Sequence, residues 1–218
     1  FTIDNEYAPY AGCAITSIIK NSSKDYEYKI YILHEGLNKE NLEKLSKLKC
    51  DGFDINFKEM KEWMELITDR VENRLRCDYF TLTIYFRLFI ADLFPEYDKG
   101  IYIDSDIVVP GDISELYNHQ LGDNFIGAST DNSIQGIPEL TNYVEEAVGV
   151  NRLDYINSGV LVMNLKKMRA VEFSKKFLTL LSTYHFDSVA PDQDYLNAMC
   201  NQKILYLNEE WDALPTEG

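Results

Sequence analysis

The sequence predicts an α/β protein with a mostly parallel central sheet flanked by helices. Two observations predict it: short apolar stretches alternate with amphipathic stretches along the first half of the chain, and acidic residues directly follow two of the apolar stretches. Strands that alternate with helices of this length favour a parallel sheet with right-handed crossovers. Ligands of such sheets bind beyond the carboxyl ends of the strands, so the acidic residues there are candidates for a functional site.

The elements of the first half follow from local patterns. Phe1–Ile3 is predicted to be the end of a strand, and Pro9 suits the first turn of a helix whose apolar positions recur over residues 11–19. Asn38 is a suitable N-cap for an amphipathic helix carrying Leu42, Leu45 and Leu48. Further strands are predicted at residues 29–33, at residues 54–57 and from residue 101 up to Asp104, with a largely buried helix at residues 81–93.

The second half of the chain is less regular. A strand is predicted at residues 125–129, ending near Asp131, and two short strands at residues 155–164 around Asn157. Residues 166–184 are expected to be helical, and another helix begins after Pro191. No repeat or flexible linker interrupts the chain, so residues 1–218 are interpreted as one domain.

Composition limits the partners that this chain can bind. Its 218 residues include 36 acidic and 21 basic ones, which gives a formal net charge of −15. Such a surface repels nucleic acid and anionic membranes, so neither is expected as a partner. It would also repel a nucleotide diphosphate unless a local cation is present. The chain has no GxGxxG and no Walker-type GxxxxGK[ST] motif, so the usual dinucleotide and P-loop sites are not predicted.

The cysteines and histidines do not predict a zinc site. These residues are scattered, with no CxxC pair and no spacing typical of zinc ligands. They are Cys13, Cys50, Cys77, Cys200, His34, His119 and His185. Free thiols in a reducing, cytoplasmic compartment fit this pattern better than disulfides. A signal peptide and an apolar run of about 20 residues are both missing, so no transmembrane segment is expected. Any peripheral membrane contact would then come from parts outside this chain.

Asp104 and Asp106 interrupt an otherwise apolar run, Ile101–Val109. Side chains two residues apart in an extended chain point to the same side, about 6.5 to 7 Å apart, so both carboxylates could converge on one cation beside the small Ser105. Hard divalent cations favour oxygen ligands and often link carboxylates to phosphates, which favours a metal–diphosphate site. The alternative is a strand end that enters a turn, with both aspartates solvated or capping residues 110–112.

Other polar residues also have both a functional and a structural interpretation. Arg87 lies in a strongly apolar helical stretch and needs a partner, either a phosphate or carboxylate of a ligand or an internal acid. Asp192 and Gln193 begin a helix and could cap it or face a reacting sugar carbon. The amide of Asn157 could bind a sugar hydroxyl or satisfy the backbone of a turn.

Five segments occur in the order found in glycosyltransferase family 8: FTIDNEY at residues 1–7, YFR at 85–87, YIDSD at 102–106, NSGVL at 157–161 and PDQD at 191–194. The chain therefore resembles this family, which includes bacterial lipopolysaccharide galactosyl- and glucosyltransferases and glycogenin, from Phe1 to about Pro215. The resemblance implies a Rossmann-like GT-A fold of the nucleotide-diphospho-sugar transferase type. It also implies retaining transfer of a hexose from UDP-glucose or UDP-galactose to a saccharide acceptor, such as lipopolysaccharide or another cell-surface glycan, with Mn²⁺ or Mg²⁺ as cofactor.

The resemblance assigns roles in donor binding. The residues similar to the family's uridine-binding edge are Thr2, Ile3, Asp4 and Tyr7. Arg87 is similar to a residue beside the diphosphate or the donor sugar. Asp104 and Asp106 resemble the metal ligands of the family's DxD motif, with Ser105 between them and Asp104 also near the ribose.

The resemblance also assigns roles at the sugar. Asp131 and Asn157 are similar to sugar-contacting positions. Asp192 and Gln193 are similar to the pair beside the anomeric carbon, where the family's catalytic residue is sought.

One departure from the family pattern concerns the third metal ligand. That ligand is a histidine in a later His-x-x-Gly-x-x-Lys-Pro-Trp-like segment, and none of the three histidines here has this context. Without that histidine and lysine, weaker metal and donor binding is expected of this chain. The departure leaves a non-catalytic nucleotide-sugar-binding domain as one alternative, and a sugar nucleotidyltransferase with a similar α/β sheet is the other.

Overall fold

The computed structural model describes residues 1–61, 83–184 and 190–213. The chain divides into two compact units, one made of Phe1–Arg87 with Ile103–Asn118 and the other of Leu88–Tyr102 with His119–Gly218. The described strands are β1 (Tyr28–His34), β2 (Phe53–Glu59), β3 (Gly100–Ile103), β4 (Ile126–Ala128), β5 (Val160–Met163) and β6 (Ile204–Tyr206). The described α-helices are α1 (Ala8–Asn21), α2 (Lys39–Ser46), α3 (Ile90–Leu93), α4 (Ile113–Asn118), α5 (Pro138–Tyr143), α6 (Leu165–Ala170), α7 (Phe173–Thr183) and α8 (Pro191–Cys200).

The first unit contains a parallel sheet, as the alternation of strands and helices predicts. β1 and β2 pair in parallel from Tyr28 opposite Phe53 to His34 opposite Glu59. The start of the chain joins them, because Thr2 forms a parallel bridge with Leu33. Phe1–Ile3 is therefore extended, and the residues that follow it lie at the carboxyl end of a strand-like segment.

The helices of the first unit begin where the sequence predicts. Pro9 lies in the first turn of α1, where its missing N–H costs no hydrogen bond. The side chain of Asn38 caps α2 by accepting a hydrogen bond from the backbone N–H of Asn41 at 2.8 Å. α2 ends earlier than expected: the N–H of Leu48 bonds to the carbonyl of Leu45 at 3.0 Å, a three-residue turn that ends the α-helical repeat.

The predicted helix at residues 81–93 is helical in its described part but not uniformly α. Residues Thr83–Phe89 form a 3-10 helix, and α3 follows. Residues 81 and 82 lie outside the described residues. Phe86, Leu88 and Phe89 are buried, so the expectation of a largely buried segment is confirmed there.

β3 ends immediately before the two aspartates. The strand stops at Ile103, Asp104 follows it, and a turn includes Ser105 and Asp106. The apolar residues after this turn do not continue the strand, and Val108 is 70% exposed. The apolar run in the sequence is therefore two pieces separated by a turn.

The second unit contains a mixed sheet in the order β3-β5-β4-β6. β4 pairs in parallel with β6 but antiparallel with β5. The antiparallel pair departs from the predicted parallel pattern because the chain between β4 and β5 doubles back, with Thr130 in an antiparallel bridge to Ile156. The alternation of strands with helices, on which the prediction rested, is regular only in the first half of the sequence.

Other predictions in the second unit change in detail. Of the two short strands expected at residues 155–164, β5 forms, whereas Ile156 makes only the isolated bridge. The helix expected at residues 166–184 is split into α6 and α7, because Glu172 adopts a left-handed backbone conformation with φ of 53°. α8 begins at Pro191 as predicted. None of the helices in the described part of the chain has both the length and the apolar character to cross a membrane.

Candidate active site

Arg87 and Asp104 form an ion pair at the end of β3. Nη2 of Arg87 donates to Oδ1 of Asp104 at 3.0 Å, and the two side chains are 11% and 33% exposed. A guanidinium in an apolar segment needs such a partner, because an unpaired buried charge is costly. The sequence left an internal acid open as the partner of Arg87, and the structure shows that Asp104 is one.

Asp104 and Asp106 carry the oxygen donors that a divalent cation favours, but Asp106 lies in a turn and not in the extended segment from which the sequence predicted that the two carboxylates converge. Asp104 is half-buried and Asp106 is exposed, with the buried Ser105 between them. A carboxylate offers about four lone-pair sites, so Asp104 can accept a hydrogen bond from Arg87 and still ligate a cation. Mg²⁺ and similar ions are often held by one or two carboxylates, with water and substrate phosphates completing the shell. Among residues 1–61, 83–184 and 190–213, no group of three or more His, Cys, Asp or Glu side chains is placed to hold a metal.

Asp4 and Asn5 fix the backbone between the first extended segment and α1. Oδ1 of Asp4 accepts hydrogen bonds from the N–H groups of Glu6 and Tyr7 at 2.8 and 2.9 Å. Oδ1 of Asn5 accepts from the N–H of Asn38 at 2.8 Å, which ties this turn to the start of α2. The local role of Asp4 is thus to cap a turn, and its carboxylate remains exposed.

The other residues assigned to the uridine edge lie next to this turn. Ile3 is buried, and the buried hydroxyl of Thr2 has no hydrogen-bond partner among the described residues. The ring of Tyr7 is 46% exposed.

In the second unit, Gln193 connects Asp131 to Ser158. Nε2 of Gln193 donates to Oδ2 of Asp131 at 2.9 Å. Oε1 of Gln193 accepts from the backbone N–H of Ser158 at 3.0 Å and from its hydroxyl at 3.3 Å. All three residues are buried. Because an ionised carboxylate only accepts and a backbone N–H only donates, these contacts define which end of the amide carries the nitrogen.

Asp192 and Asn157 lie beside this connection. The hydroxyl of Ser158 is 3.5 Å from Oδ2 of Asp192, which is buried. Oδ1 of Asn157 accepts from the N–H of Gly159 at 2.8 Å, which is the turn role that the sequence left open. The structure thus connects Gln193 directly to Asp131 and, through Ser158, to Asp192. Asn157 is adjacent to Ser158 in the chain. We call Asp131, Asn157, Ser158, Asp192 and Gln193 the Gln193 cluster.

Two tyrosines that the sequence did not single out support the Gln193 cluster. The hydroxyl of Tyr155 donates to Oδ1 of Asp194 at 2.6 Å, and that of Tyr143 donates to Oδ2 at 2.8 Å. Burial, followed by the hydrogen bond to Asp194, raises the pKa of Tyr155 well above its usual value. Both carboxylate oxygens of Asp194 are thereby satisfied in a residue that is 1% exposed. These bonds anchor the first turn of α8.

Asn197 is the other supporting residue that sequence reasoning missed. Its Oδ1 accepts from the N–H of Ile156 at 2.8 Å, and its Nδ2 donates to the carbonyl of Ile156 at 3.0 Å. A signal was available, since Gln193 and Asn197 are four residues apart in a predicted helix and therefore share a face.

The sequence as a whole identifies the family. The model of glycosyl transferase family 8 matches residues 1–218. The chain belongs to glycosyltransferase family 8. The resemblance of the five short segments is thus confirmed over the entire chain.

Curated relatives of this family 8 chain match nearly all of its length. A candidate glycosyltransferase of Haemophilus influenzae is 28% identical over 221 residues, which are 100% of this chain and 63% of the relative. General stress protein A of Bacillus subtilis is 25% identical, over 96% of this chain and 71% of its own length. The lipopolysaccharide 1,2-glucosyltransferase of Escherichia coli K12 is 27% identical, over 99% of this chain and 62% of its own length. The family 8 chain therefore spans less than two thirds of the first and third of these relatives.

Solved structures establish the fold of this family 8 chain. The bifunctional glycosyltransferase WbbM, in its apo form, has a TM-score of 0.83 at 25% identity, over 96% of this chain and 38% of WbbM. The galactosyltransferase LgtC, in complex with donor and acceptor sugar analogues, has a TM-score of 0.77 at 24% identity, over 96% of this chain and 72% of LgtC. The predicted GT-A fold is confirmed.

Proposed function

We propose that this family 8 chain is the donor-binding part of a metal-dependent, retaining hexosyltransferase. The enzyme would move glucose or galactose from a UDP-sugar to a saccharide acceptor, in lipopolysaccharide or another cell-surface glycan. The named activity of the Escherichia coli relative, a lipopolysaccharide 1,2-glucosyltransferase, supports this class of acceptor.

The uridine end of the donor is assigned to Thr2, Ile3, Asp4 and Tyr7. The exposed carboxylate of Asp4 is held by two backbone N–H groups, which leaves it oriented to accept a hydrogen bond from a ligand. The buried hydroxyl of Thr2, which has no partner among the described residues, can serve as a donor or an acceptor. The exposed ring of Tyr7 offers an apolar face beside them.

The diphosphate is assigned to the end of β3. Asp104 and Asp106 would hold Mn²⁺ or Mg²⁺, and such a cation, when bound, neutralises the charge of the departing diphosphate. Arg87 contributes a permanent positive charge that Asp104 holds in place at 3.0 Å. In a chain with a net charge of −15, a bound cation together with Arg87 would supply the local positive charge that a polyanionic ligand needs.

The sugar end is assigned to the Gln193 cluster, where Asp131 and Asn157 would bind hydroxyl groups. Positive charge develops on the anomeric carbon as the sugar–phosphate bond breaks, and the dipole of the fixed Gln193 amide or the carboxylate of Asp192 can stabilise it. An amide is a poor nucleophile, so Asp192 is the better candidate for a double displacement. In the other retaining route, same-face attack assisted by the leaving phosphate, Gln193 acts only through its dipole.

The observation that carries this proposal is the Arg87–Asp104 pair. It places a fixed cation and a carboxylate immediately after a strand end, where ligands of α/β sheets bind. Asp106, two residues further on, is exposed, so a cation can reach its carboxylate from solvent.

The test uses the full-length protein with Mn²⁺ and either UDP-glucose or UDP-galactose, with UDP release as the readout. Asp106→Ala should abolish Mn²⁺-dependent turnover and Mn²⁺-dependent UDP binding. Asp123→Ala is the matched control, because Asp123 is an exposed aspartate that pairs with Lys167 in the second unit, and it should retain both.

Three outcomes would contradict the proposal. Unchanged turnover in Asp106→Ala would remove the metal role of this residue. Pyrophosphate release from a nucleoside triphosphate and a sugar phosphate would instead indicate a nucleotidyltransferase. Binding of UDP-sugar without turnover, with every acceptor class supplied, would indicate a non-catalytic binding domain.

A further inference from the structure

We infer that Asn197 is a positioning residue of the Gln193 cluster. Its side-chain amide ties the segment that carries Asn157 and Ser158 to α8 and thereby fixes the orientation of the Gln193 amide. This inference rests on the proposed function, because it concerns the site assigned there to the donor sugar. Asn197 itself does not touch the reacting atoms.

The side chain of Asn197 is fully used and fully buried. It is 0% exposed, Oδ1 accepts from the N–H of Ile156 at 2.8 Å, and Nδ2 donates to the carbonyl of Ile156 at 3.0 Å. Nδ2 also donates to the carbonyl of Gln193 at 2.9 Å. An Asn amide has two N–H donors, so both are directed to backbone carbonyls. One side chain thus satisfies both backbone groups of Ile156, as a neighbouring strand would.

This anchoring reaches Gln193 through Ser158. Ile156 lies two residues before Ser158, whose N–H donates to Oε1 of Gln193 at 3.0 Å. The residue between them is also held, because the N–H of Asn157 donates to the carbonyl of Ser129 at 2.9 Å. With Ile156 attached to Asn197, the N–H of Ser158 is aimed at the Gln193 amide.

The same helix supplies both attachment points. Gln193 and Asn197 are about one turn apart on α8, so the segment at residues 156–158 contacts one face of the helix at two places. If the Asn197 attachment is removed, Ser158 is no longer held at a set distance from α8. Oε1 of Gln193 would then lose its directional donor, and the amide could rotate away from Asp131.

The test compares two Asn→Ala variants of the full-length protein. Asn164 is the matched control: its Oδ1 accepts from the N–H of Lys167 at 3.2 Å, and its Nδ2 donates to the carbonyl of Asn124 at 3.3 Å. Both asparagines bind two backbone segments in the same unit. Asn197→Ala should lower kcat for UDP-sugar turnover at least about 10-fold, since small displacements in a site are costly, with KM for the donor within about 2-fold of wild type. Asn164→Ala should retain the kcat of the wild type when the rates are compared per folded molecule.

Equal loss of kcat in the two variants, or a loss explained by the unfolded fraction, would overturn the inference. If Asn197→Ala does not fold, Asn197→Ser replaces it, because the smaller hydroxyl leaves room for a water to satisfy Ile156. Asn197→Ser should likewise lower kcat while KM for the donor stays close to that of the wild type.

A second readout does not depend on activity. The side-chain ¹⁵N–¹H signals of Gln193 can be identified by their loss in Gln193→Glu, and they should exchange slowly with solvent in the wild type. In Asn197→Ala they should move and exchange faster, and they should not change in Asn164→Ala. Unchanged Gln193 signals in Asn197→Ala would overturn the inference even if the wild type turns over no UDP-sugar, an outcome that would separately contradict the proposed function.

Discussion

The guanidinium of Arg87 lies 3.0 Å from the carboxylate of Asp104, directly after β3. The sequence offered two interpretations of these residues, a ligand site and an internal ion pair, and the contact makes them compatible. The pair orients Asp104 at the strand end while its carboxylate keeps further lone pairs for a cation. Structural and proposed functional roles therefore fall on the same two side chains.

Replacing Arg87 should destabilise the protein as well as weaken donor binding. Arg87→Met leaves the partly buried Asp104 without this charge partner, so we expect a loss of about 1–3 kcal/mol in the free energy of unfolding, less than for a fully buried pair. Arg87→Lys retains the positive charge but not the planar guanidinium, so it should lose less stability than Arg87→Met. Urea denaturation of both variants measures the two losses. An Arg87→Met variant as stable as the wild type would show that the pair contributes nothing.

Gln193→Glu should make stability and activity pH-dependent. The substitution places a second carboxylate where the amide nitrogen now lies 2.9 Å from Asp131, and two carboxylates this close share a proton. Their pKa in the folded state is then raised above the unfolded value, so the variant should lose stability relative to wild type as the pH rises from about 5 to 8. We expect kcat to fall by roughly 10²-fold.

Gln135→Glu is the control for this substitution, because Gln135 is exposed and its side-chain amide donates to the side chain of Asn132 at 2.7 Å, not to a carboxylate. Its stability should follow the wild type across the same pH range. Parallel pH profiles for Gln193→Glu and Gln135→Glu, measured by chemical denaturation, would contradict the geometry of the Gln193 cluster.

His34 should contribute to acid sensitivity. Its ring is 6% exposed, and Nδ1 accepts a hydrogen bond from the N–H of Leu37 at 3.2 Å. Burial lowers the pKa of His34, against a smaller raising effect of Glu59. Below about pH 6.5, His34 is therefore protonated more fully in the unfolded chain than in the folded protein. The free energy of unfolding should fall as the pH drops from 7 to 5.

His34→Asn keeps an acceptor near the position of Nδ1 but cannot be protonated in this range. Its free energy of unfolding, measured between pH 7 and 5, should therefore decline less steeply than that of the wild type. Identical slopes for the two proteins would show that His34 titrates alike in the folded and unfolded states.

The cysteines should differ in reactivity. Cys13 and Cys50 are exposed and free, whereas Cys200 is buried, and burial raises the pKa of its thiol. Since the thiolate is the reactive form, iodoacetamide should modify Cys13 and Cys50 in the native protein. Cys200 should react at least about 100-fold more slowly until denaturant is added, because it needs an opening of the structure. Peptide mapping by mass spectrometry measures the labelling of each cysteine. Equal labelling of Cys200 and the two exposed cysteines would contradict the burial of Cys200.

Local patterns in the sequence predicted the elements whose causes are local. Pro9, the Asn38 cap and the alternation of apolar stretches correctly placed α1, α2, β1 and β2. The antiparallel pairing of β4 with β5 was not predictable in this way, because it depends on where the intervening chain returns. The split between α6 and α7 depends on one backbone conformation at Glu172, and glutamate carries no local signal for it.

The sequence named the candidate site residues, which stay predictions, but it could not predict their contacts. Arg87 and Asp104 are 17 residues apart, and Asp131 and Gln193 are 62 apart, so only the fold could pair them. Asn197 was missed because a polar residue on a helix resembles a solvated one until its burial is known. Its spacing from Gln193 was the one local clue.

The most direct test of the account is anomalous scattering from Mn²⁺ in crystals of the full-length protein with UDP. We predict a manganese peak bound by the carboxylates of both Asp104 and Asp106 and by the diphosphate of UDP, with the uracil beside Asp4. Manganese at another place in the protein, or UDP bound at this strand end with no metal ligated by either aspartate, would contradict it.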